Sequence, residues 1–98
     1  MNTVRFRVEA IADIQEIAEY ISESDPSAAD RVVQRIYHVA HNVIGLLPLA
    51  ERFAVETGAR EFPVPGLPYV IVYVAEPEMV EIVAIFHIAR DPAAKRKP

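Results

Sequence analysis

Three polar residues in the C-terminal half have side chains suited to acid–base chemistry on a phosphodiester. Tyr69 opens one predicted strand, His87 closes the next predicted strand, and Arg90 follows three residues later. An imidazole exchanges protons near neutral pH, a tyrosine hydroxyl can polarise a proton transfer, and a guanidinium can hold a phosphate. Tyr69, His87 and Arg90 are therefore the catalytic candidates in this chain.

A purely structural interpretation of the same three residues stays open. His87 can simply end a core strand, Tyr69 can pack against helices, and Arg90 can cap a terminus. The sequence contains neither a nucleophile motif such as G-x-S-x-G nor a glycine-rich loop that could cradle a phosphate. Residue chemistry alone favours the structural interpretation.

Three strands in the second half of the chain must position these side chains. Apolar runs predict strands at residues 60–64, 69–75 and 79–87, and a Pro-Gly turn at residues 65–68 joins the first two. Residues 69–75 are apolar on both faces, as in a central strand that is covered on both sides. Consecutive strands joined by such tight turns indicate an antiparallel meander.

The meander predicts which polar residues come together. The start of its second strand lies beside the end of its third, so we expect Tyr69 and His87 to meet at one edge of the sheet, where Arg90 could join them. Arg60 and Glu61 open the first strand and should lie towards the other end.

The N-terminal half begins with a strand pattern at residues 3–9. Polar and apolar residues alternate there, so one face should carry Val4, Phe6 and Val8 and the other Arg5 and Arg7.

Two amphipathic helices are predicted next, joined by a break short enough for a helical hairpin. Apolar residues recur at helical spacing in the first helix, whose acidic side should face solvent; Asp25 should cap the second helix, with Pro26 as its first residue. The apolar set of the first helix is Ile11, Ile14, Ile17, Ala18 and Ile21, and its acidic set is Asp13, Glu16, Glu19 and Glu23. The apolar stripe of the second helix is Ala29, Val32, Val33, Ile36, Val39, Ala40, Val43 and Leu47.

The predicted fold is one α+β domain spanning residues 1–98, with element order β-α-α-β-β-β and an antiparallel sheet packed on the helical hairpin. Residues 48–58 have no clear period and are expected to form a loop, with Leu49 and Phe53 packed against the core.

Composition narrows the classes of function. The chain has no cysteine, which excludes disulfides and thiolate metal sites, and neither a signal peptide nor a membrane-length apolar run, so a cytoplasmic location is expected. Residues 1–89 carry a net charge of −7, which argues against broad non-specific nucleic-acid binding, whereas residues 90–98 carry +3. The basic tail is interpreted as a solvated terminus, although a local anionic contact stays possible.

Histidines on the second predicted helix raise the question of a metal site. His38 and His41 are three residues apart and could share a helix face, but no cysteine or suitably spaced acidic residue completes a ligand set. We therefore predict neither a metal nor a cofactor.

The whole pattern resembles the ParE branch of the RelE/ParE superfamily of type II toxin–antitoxin toxins. The resemblance rests on the order of "VRFRVEAIADIQEIAEYI", "DPSAADRVVQRI", "REFPVPGLPYVIVYV" and "IFHIARDP" along almost the full chain. It implies an α+β domain that is held inactive in a hetero-oligomer by a cognate ParD-like antitoxin. ParE-like members of the superfamily are linked to poisoning of DNA gyrase, and RelE-like members cleave mRNA in the ribosome.

Residue 70 discriminates between these two activities. RelE-like nucleases typically place an arginine directly after the tyrosine that opens the central strand, and this chain has Val70 there. A valine cannot offset developing phosphate charge, a contribution worth roughly 3 kcal/mol per donor in enzymes. The resemblance therefore favours a gyrase-binding toxin without chemistry of its own over a ribosome-dependent mRNA endoribonuclease.

Departures from the ParE pattern keep a third possibility open, a non-toxic protein-binding member of the family. Phe6 stands where a tryptophan is common, and "LAERFAVETGARE" differs from the usual proline-glycine-arginine loop. The candidates for contact with the target or antitoxin are the charged residues Arg5, Arg7, Arg60, Glu61 and Arg90.

Overall fold

A computed structural model describes residues 2–46, 53–54 and 58–89. The elements are β1 (Thr3–Phe6), α1 (Val8–Ser22), α2 (Pro26–Val39), a π-helical segment (Ala40–Ile44), β2 (Phe53–Ala54), β3 (Ala59–Pro63), β4 (Tyr69–Glu76) and β5 (Met79–His87). This order confirms the predicted α+β fold. Arg90, the tail at residues 91–98 and the side chains of Leu49 and Phe53 lie outside the described residues.

The sheet has five strands in the order β1-β5-β4-β3-β2. Strands β3, β4 and β5 form the predicted antiparallel meander, and β1 pairs with β5 in parallel, with Val4 opposite Val80. The sheet is therefore mixed. After the helical hairpin the chain continues at β2, on the opposite edge of the sheet from β1, and the last strand, β5, lies next to β1. The two-residue strand β2 lies where a loop without strands was expected.

The beginning of α1 corrects two predictions. The strand ends at Phe6, and Val8 is the first residue of α1 and 80% exposed, so it does not share the buried face of Val4 and Phe6. Arg7 is still extended, but the helical period starts immediately after it. The buried side of α1 therefore differs from the predicted apolar side. Ile11 was predicted to be buried and is 39% exposed, whereas Asp13 was predicted to face solvent and is buried.

The second helix begins as predicted and ends differently. Asp25 caps α2 by accepting the Ala28 N–H at 3.1 Å, and Pro26 is its first residue. The expected continuous helix to Leu47 instead changes to a π-helix at Ala40. Neither α1 nor α2 is long and apolar enough to cross a membrane.

Both faces of the central strands β4 and β5 are buried over most of their length. The face towards the helices packs Ile71, Tyr73 and Ile82 against residues of α1 and α2. The opposite face carries a second apolar cluster, which confirms that β4 is a central strand buried on both sides. We call this the far-face cluster; it consists of Ala59, Val70, Val72, Val83, Ala84 and Phe86.

Candidate functional site

The predicted meeting of Tyr69 and His87 is confirmed. The two residues lie directly opposite each other in the β4–β5 pair, and their rings make an edge-to-face contact with centroids 5.4 Å apart. Tyr69 is buried and His87 is half-buried, so the pair sits where the sheet meets solvent. Arg90, the third catalytic candidate, lies outside the described residues.

The hydrogen bonding of His87 determines what its imidazole can do. Its Nδ1 accepts the backbone N–H of Ala89 at 3.0 Å, so in the neutral ring Nε2 carries the proton. A general base acting through Nε2 requires the other tautomer, with the proton on Nδ1. His87 would have to give up the Ala89 hydrogen bond to act in that way.

Asp13 is the residue at this site that the sequence interpretation missed. It is 9% exposed, and its Oδ2 accepts the backbone N–H of Ile85 at 3.0 Å. Strand β1 pairs with β5 only as far as Ile82, so Asp13 binds a β5 amide beyond the end of β1. The signal was present in the sequence, since residue 13 shares the helical stripe of Ala10, Ile14 and Ile17.

Asp13 and the Tyr69–His87 pair line one small cleft between α1 and the ends of β4 and β5. Its volume is about 20 Å³, room for about one water molecule, so it does not hold a nucleotide. Glu16 and the largely exposed Tyr20 extend its rim. We call it the acidic cleft; it is lined by Asp13, Glu16, Ile17, Tyr20, Tyr69, Ile85 and His87.

Val70 lies on the other side of the sheet from the acidic cleft. It is 6% exposed, pairs with Phe86 and belongs to the far-face cluster, whereas Tyr69 packs on the helix face. Side chains alternate along a strand, so any residue at position 70 points away from Tyr69 and His87.

The remaining contact candidates are dispersed. Arg60 pairs with Tyr73 and Glu61 with Val72, four and three residues along β4 from Tyr69, or about 10–13 Å. This confirms that they lie towards the other end of the meander. Arg5 and Arg7 both reach Glu81, at 3.7 and 3.0 Å, so they form an ion-paired group on β1 and β5.

A separate aromatic group connects β1 with α2 and the π-helical segment. The Phe6 ring lies 5.0 Å from that of Tyr37 and 5.6 Å from that of His41. His38 instead hydrogen-bonds Asn42. In the part of the chain that the structure describes, no group of three or more His, Cys, Asp or Glu residues could hold a metal ion.

Residues 4–92 match the family described as ParE toxin of type II toxin–antitoxin system, parDE. The chain belongs to this family. This ParE-family chain is 33% identical over 84 residues to toxin Y4kP of Sinorhizobium fredii, covering 86% of this chain and 85% of that one. It is 37% identical over 81 residues to toxin RelE2 of Caulobacter vibrioides, covering 83% and 89%.

Solved structures share the fold of this ParE-family chain. The chromosomal ParDE toxin–antitoxin system of P. aeruginosa matches with a TM-score of 0.72 at 22% identity, covering 89% of this chain and 96% of the other. The RelBE2 toxin–antitoxin complex of Mycobacterium tuberculosis matches with a TM-score of 0.65 at 20% identity, covering 91% and 93%. The protein is thus a type II toxin–antitoxin toxin of the ParE/RelE superfamily.

Proposed function

We propose that this ParE-family chain arrests growth by binding DNA gyrase, breaks no bond itself and is neutralised by a ParD-like antitoxin. The observation that carries the proposal is the acidic cleft, in which Asp13 and Glu16 lie beside Tyr69 and His87. At the position where RelE-like nucleases have an arginine, this chain has an apolar side chain buried in the far-face cluster. This residue, Val70, departs from the RelE-like pattern, but it lies on the face opposite Tyr69 and His87, so it bears on the resemblance rather than on the chemistry of the cleft.

The charge of the acidic cleft supports the same proposal. Asp13 and Glu16 lie beside Tyr69 and His87, and two carboxylates repel a phosphodiester. The tautomer of His87 adds a second obstacle, because Nδ1 already accepts the Ala89 N–H. The two catalytic candidates in the described residues therefore lie in surroundings unfavourable to RNA cleavage.

A supercoiling assay tests the proposal directly. Purified protein should inhibit gyrase at the concentrations that arrest growth, and the Tyr69→Phe and His87→Gln variants should inhibit it equally well. Unaffected supercoiling during growth arrest would remove gyrase as the target.

The ribonuclease alternative is favoured only by the Tyr69–His87 contact. Its signature is codon-positioned cuts in primer extension on mRNA from expressing cells, and intact transcripts during arrest would exclude it. Unimpaired growth on expression without an antitoxin would instead favour a non-toxic binding protein.

The antitoxin should bind the exposed apolar side chains of α1. Val8 and Ile11, three residues apart on one side of the helix, are 80% and 39% exposed, and exposed apolar patches commonly mark sites of partner binding. Arg5 and Arg7 already pair with Glu81, so an antitoxin carboxylate has to compete with that residue. Deleting residues 91–98 should leave the complex intact if the tail is only a solvated terminus.

A further inference from the structure

Four arginines of the described residues fall into two electrostatic groups. Arg5 and Arg7 share the carboxylate of Glu81, which offsets one of their two positive charges. Arg31 and Arg35 instead bond neutral oxygens, Ser27 Oγ and the Pro65 carbonyl, each at 3.3 Å. Within the described ranges no carboxylate lies within 4.0 Å of either of these two guanidinium groups. Among the residues that the structure describes, the two arginines thus form no ion pair, on a protein that is acidic as a whole.

Arg31 and Arg35 belong to one continuous face of α2. Residues 31, 34, 35 and 38 follow the i, i+3, i+4, i+7 spacing that aligns side chains along a helix, and all four are exposed. They line a single shallow groove on the surface. We call this face the α2 strip; it consists of Arg31, Gln34, Arg35 and His38.

The α2 strip presents mainly hydrogen-bond donors. Since an amide nitrogen can only donate, the 3.2 Å contact of Asn42 Nδ2 makes His38 Nδ1 an acceptor and leaves Nε2–H pointing to other partners. Two guanidinium groups, this Nε2–H and the Gln34 amide then face outward together. The complementary ligand carries negative charge and hydrogen-bond acceptors.

The surroundings of the strip favour nucleic acid over protein. The large apolar residues exposed in the described part of the chain are Val8, Ile11, Tyr20, Leu46 and Ile88, and none belongs to the strip. Protein interfaces are anchored by buried aromatic and apolar groups, whereas protein–DNA interfaces are polar and positively charged. The strip also lacks the Phe, Tyr or Trp platform on which single-stranded bases stack, which favours a duplex.

We propose that the α2 strip binds the phosphate backbone of duplex DNA. This inference deepens the proposed function and rests on it, because a gyrase-directed toxin works where DNA is held. From the helical rise, Arg31 and Arg35 lie about 6 Å apart along α2, and Arg31 and His38 about 10.5 Å apart. The acidic remainder of the chain keeps the contact weak and confines it to this face.

Salt-dependent binding of the full-length protein to a fluorescent DNA duplex tests the inference. Two arginine–phosphate contacts contribute about −1.8 to the slope of log affinity against log salt concentration. The double variant Arg31→Gln/Arg35→Gln should therefore have a slope that is less steep by about 1.8. When salt is raised from about 50 to 200 mM, the fold-loss of affinity should be roughly ten times smaller for the variant than for the wild type. Glutamine keeps the helix propensity, and thermal unfolding verifies the fold.

Two control variants separate the strip from other charges. Arg5→Gln removes one positive charge that lies on β1, outside the α2 strip, and it should leave the slope unchanged. The variant Lys95→Gln/Arg96→Gln/Lys97→Gln tests the tail. Three results would each overturn the inference. The slope could be unchanged in the strip variant, it could be lost only in the tail variant, or the wild-type protein could fail to bind the duplex at low salt.

Two further outcomes distinguish this inference from the proposed function. If the strip variant binds DNA like the wild type but no longer binds the antitoxin, the strip is a protein interface and the inference fails. If DNA binding follows the strip as expected and supercoiling is unaffected by the protein, the gyrase proposal fails and the DNA contact stands.

Discussion

Asp13 Oδ2 accepts the backbone N–H of Ile85 at 3.0 Å across 72 residues of sequence. The bond joins the first helix to the last strand, beyond the point where β1 stops pairing with β5. A helix side chain thus provides the acceptor that a neighbouring strand would otherwise supply. The same carboxylate lines the acidic cleft, so the side chain that makes this structural bond also contributes negative charge to the site.

Asp13→Ala should lower the free energy of unfolding by about 1–3 kcal/mol, because the Ile85 N–H would stay buried without this acceptor. Asp13→Asn retains an acceptor oxygen and should cost less. Urea denaturation measures both changes. Glu19→Ala, an exposed substitution on the same helix, is the control and should stay within about 0.5 kcal/mol of the wild type. Equal costs for Asp13→Ala and Glu19→Ala would show that the bond contributes nothing.

Gly45→Ala should destabilise the protein by about 1–3 kcal/mol through overpacking. An added Cβ would lie 2.5 Å from the His41 carbonyl oxygen and 2.9 Å from Val4 Cγ2, and the backbone oxygen cannot move aside without disturbing the π-helical segment. Thermal unfolding checks the change. Gly66→Asn is a useful comparison, since nothing lies within 4 Å of its Cβ position and asparagine tolerates a positive φ. If Gly66→Asn cost more than Gly45→Ala, the close approach would not be the constraint.

Val70→Arg should not create a nuclease. The new guanidinium would enter the far-face cluster rather than the acidic cleft, and an unpaired buried charge costs about 3–5 kcal/mol. Val70→Ile, which preserves an apolar side chain, should cost less than about 1.5 kcal/mol. Denaturation midpoints and primer extension on cellular mRNA measure the two consequences. A stable Val70→Arg protein that cleaves message would contradict the placement of this residue.

Tyr69→Phe and His87→Gln should leave growth arrest unchanged, because in the proposed function neither side chain transfers a proton. A ribonuclease using them would lose about 10²–10⁴-fold in rate with either change. Plating efficiency after induction, with protein levels matched by immunoblot, makes the comparison. Loss of toxicity in both variants, with folding intact, would support the ribonuclease instead.

Arg7 and Glu81 should couple by less than about 1 kcal/mol in a double-mutant cycle. Their 3.0 Å pair is only partly shielded from solvent, and such surface pairs contribute little to stability. Urea denaturation of Arg7→Ala, Glu81→Ala and the double variant measures the coupling. A value well above 1 kcal/mol would make this pair a main attachment of β1 to the sheet.

Sequence patterns over a few neighbouring residues were sufficient to predict most of the fold. The Asp25 cap, the Pro26 start of α2 and the strand ends at Tyr69 and His87 depend on residues close in sequence, and the structure confirms them. Meander geometry then requires Tyr69 and His87 to be neighbours, because tight turns leave strands few ways to pair. Belonging to the ParE family, too, was foreseen from the order of these segments.

Other features depend on which surfaces meet, and a local pattern cannot show that. Asp13 was assigned to the solvated side of the first helix together with Glu16, Glu19 and Glu23, yet the packing of the helix on the sheet buries it against Ile85. The parallel pairing of β1 with β5 likewise joins parts distant in the chain. The sequence by itself determined the elements, their order and the residue types of the site. Only the tertiary structure decided that a carboxylate lies beside His87, because burial is a property of contacts between elements.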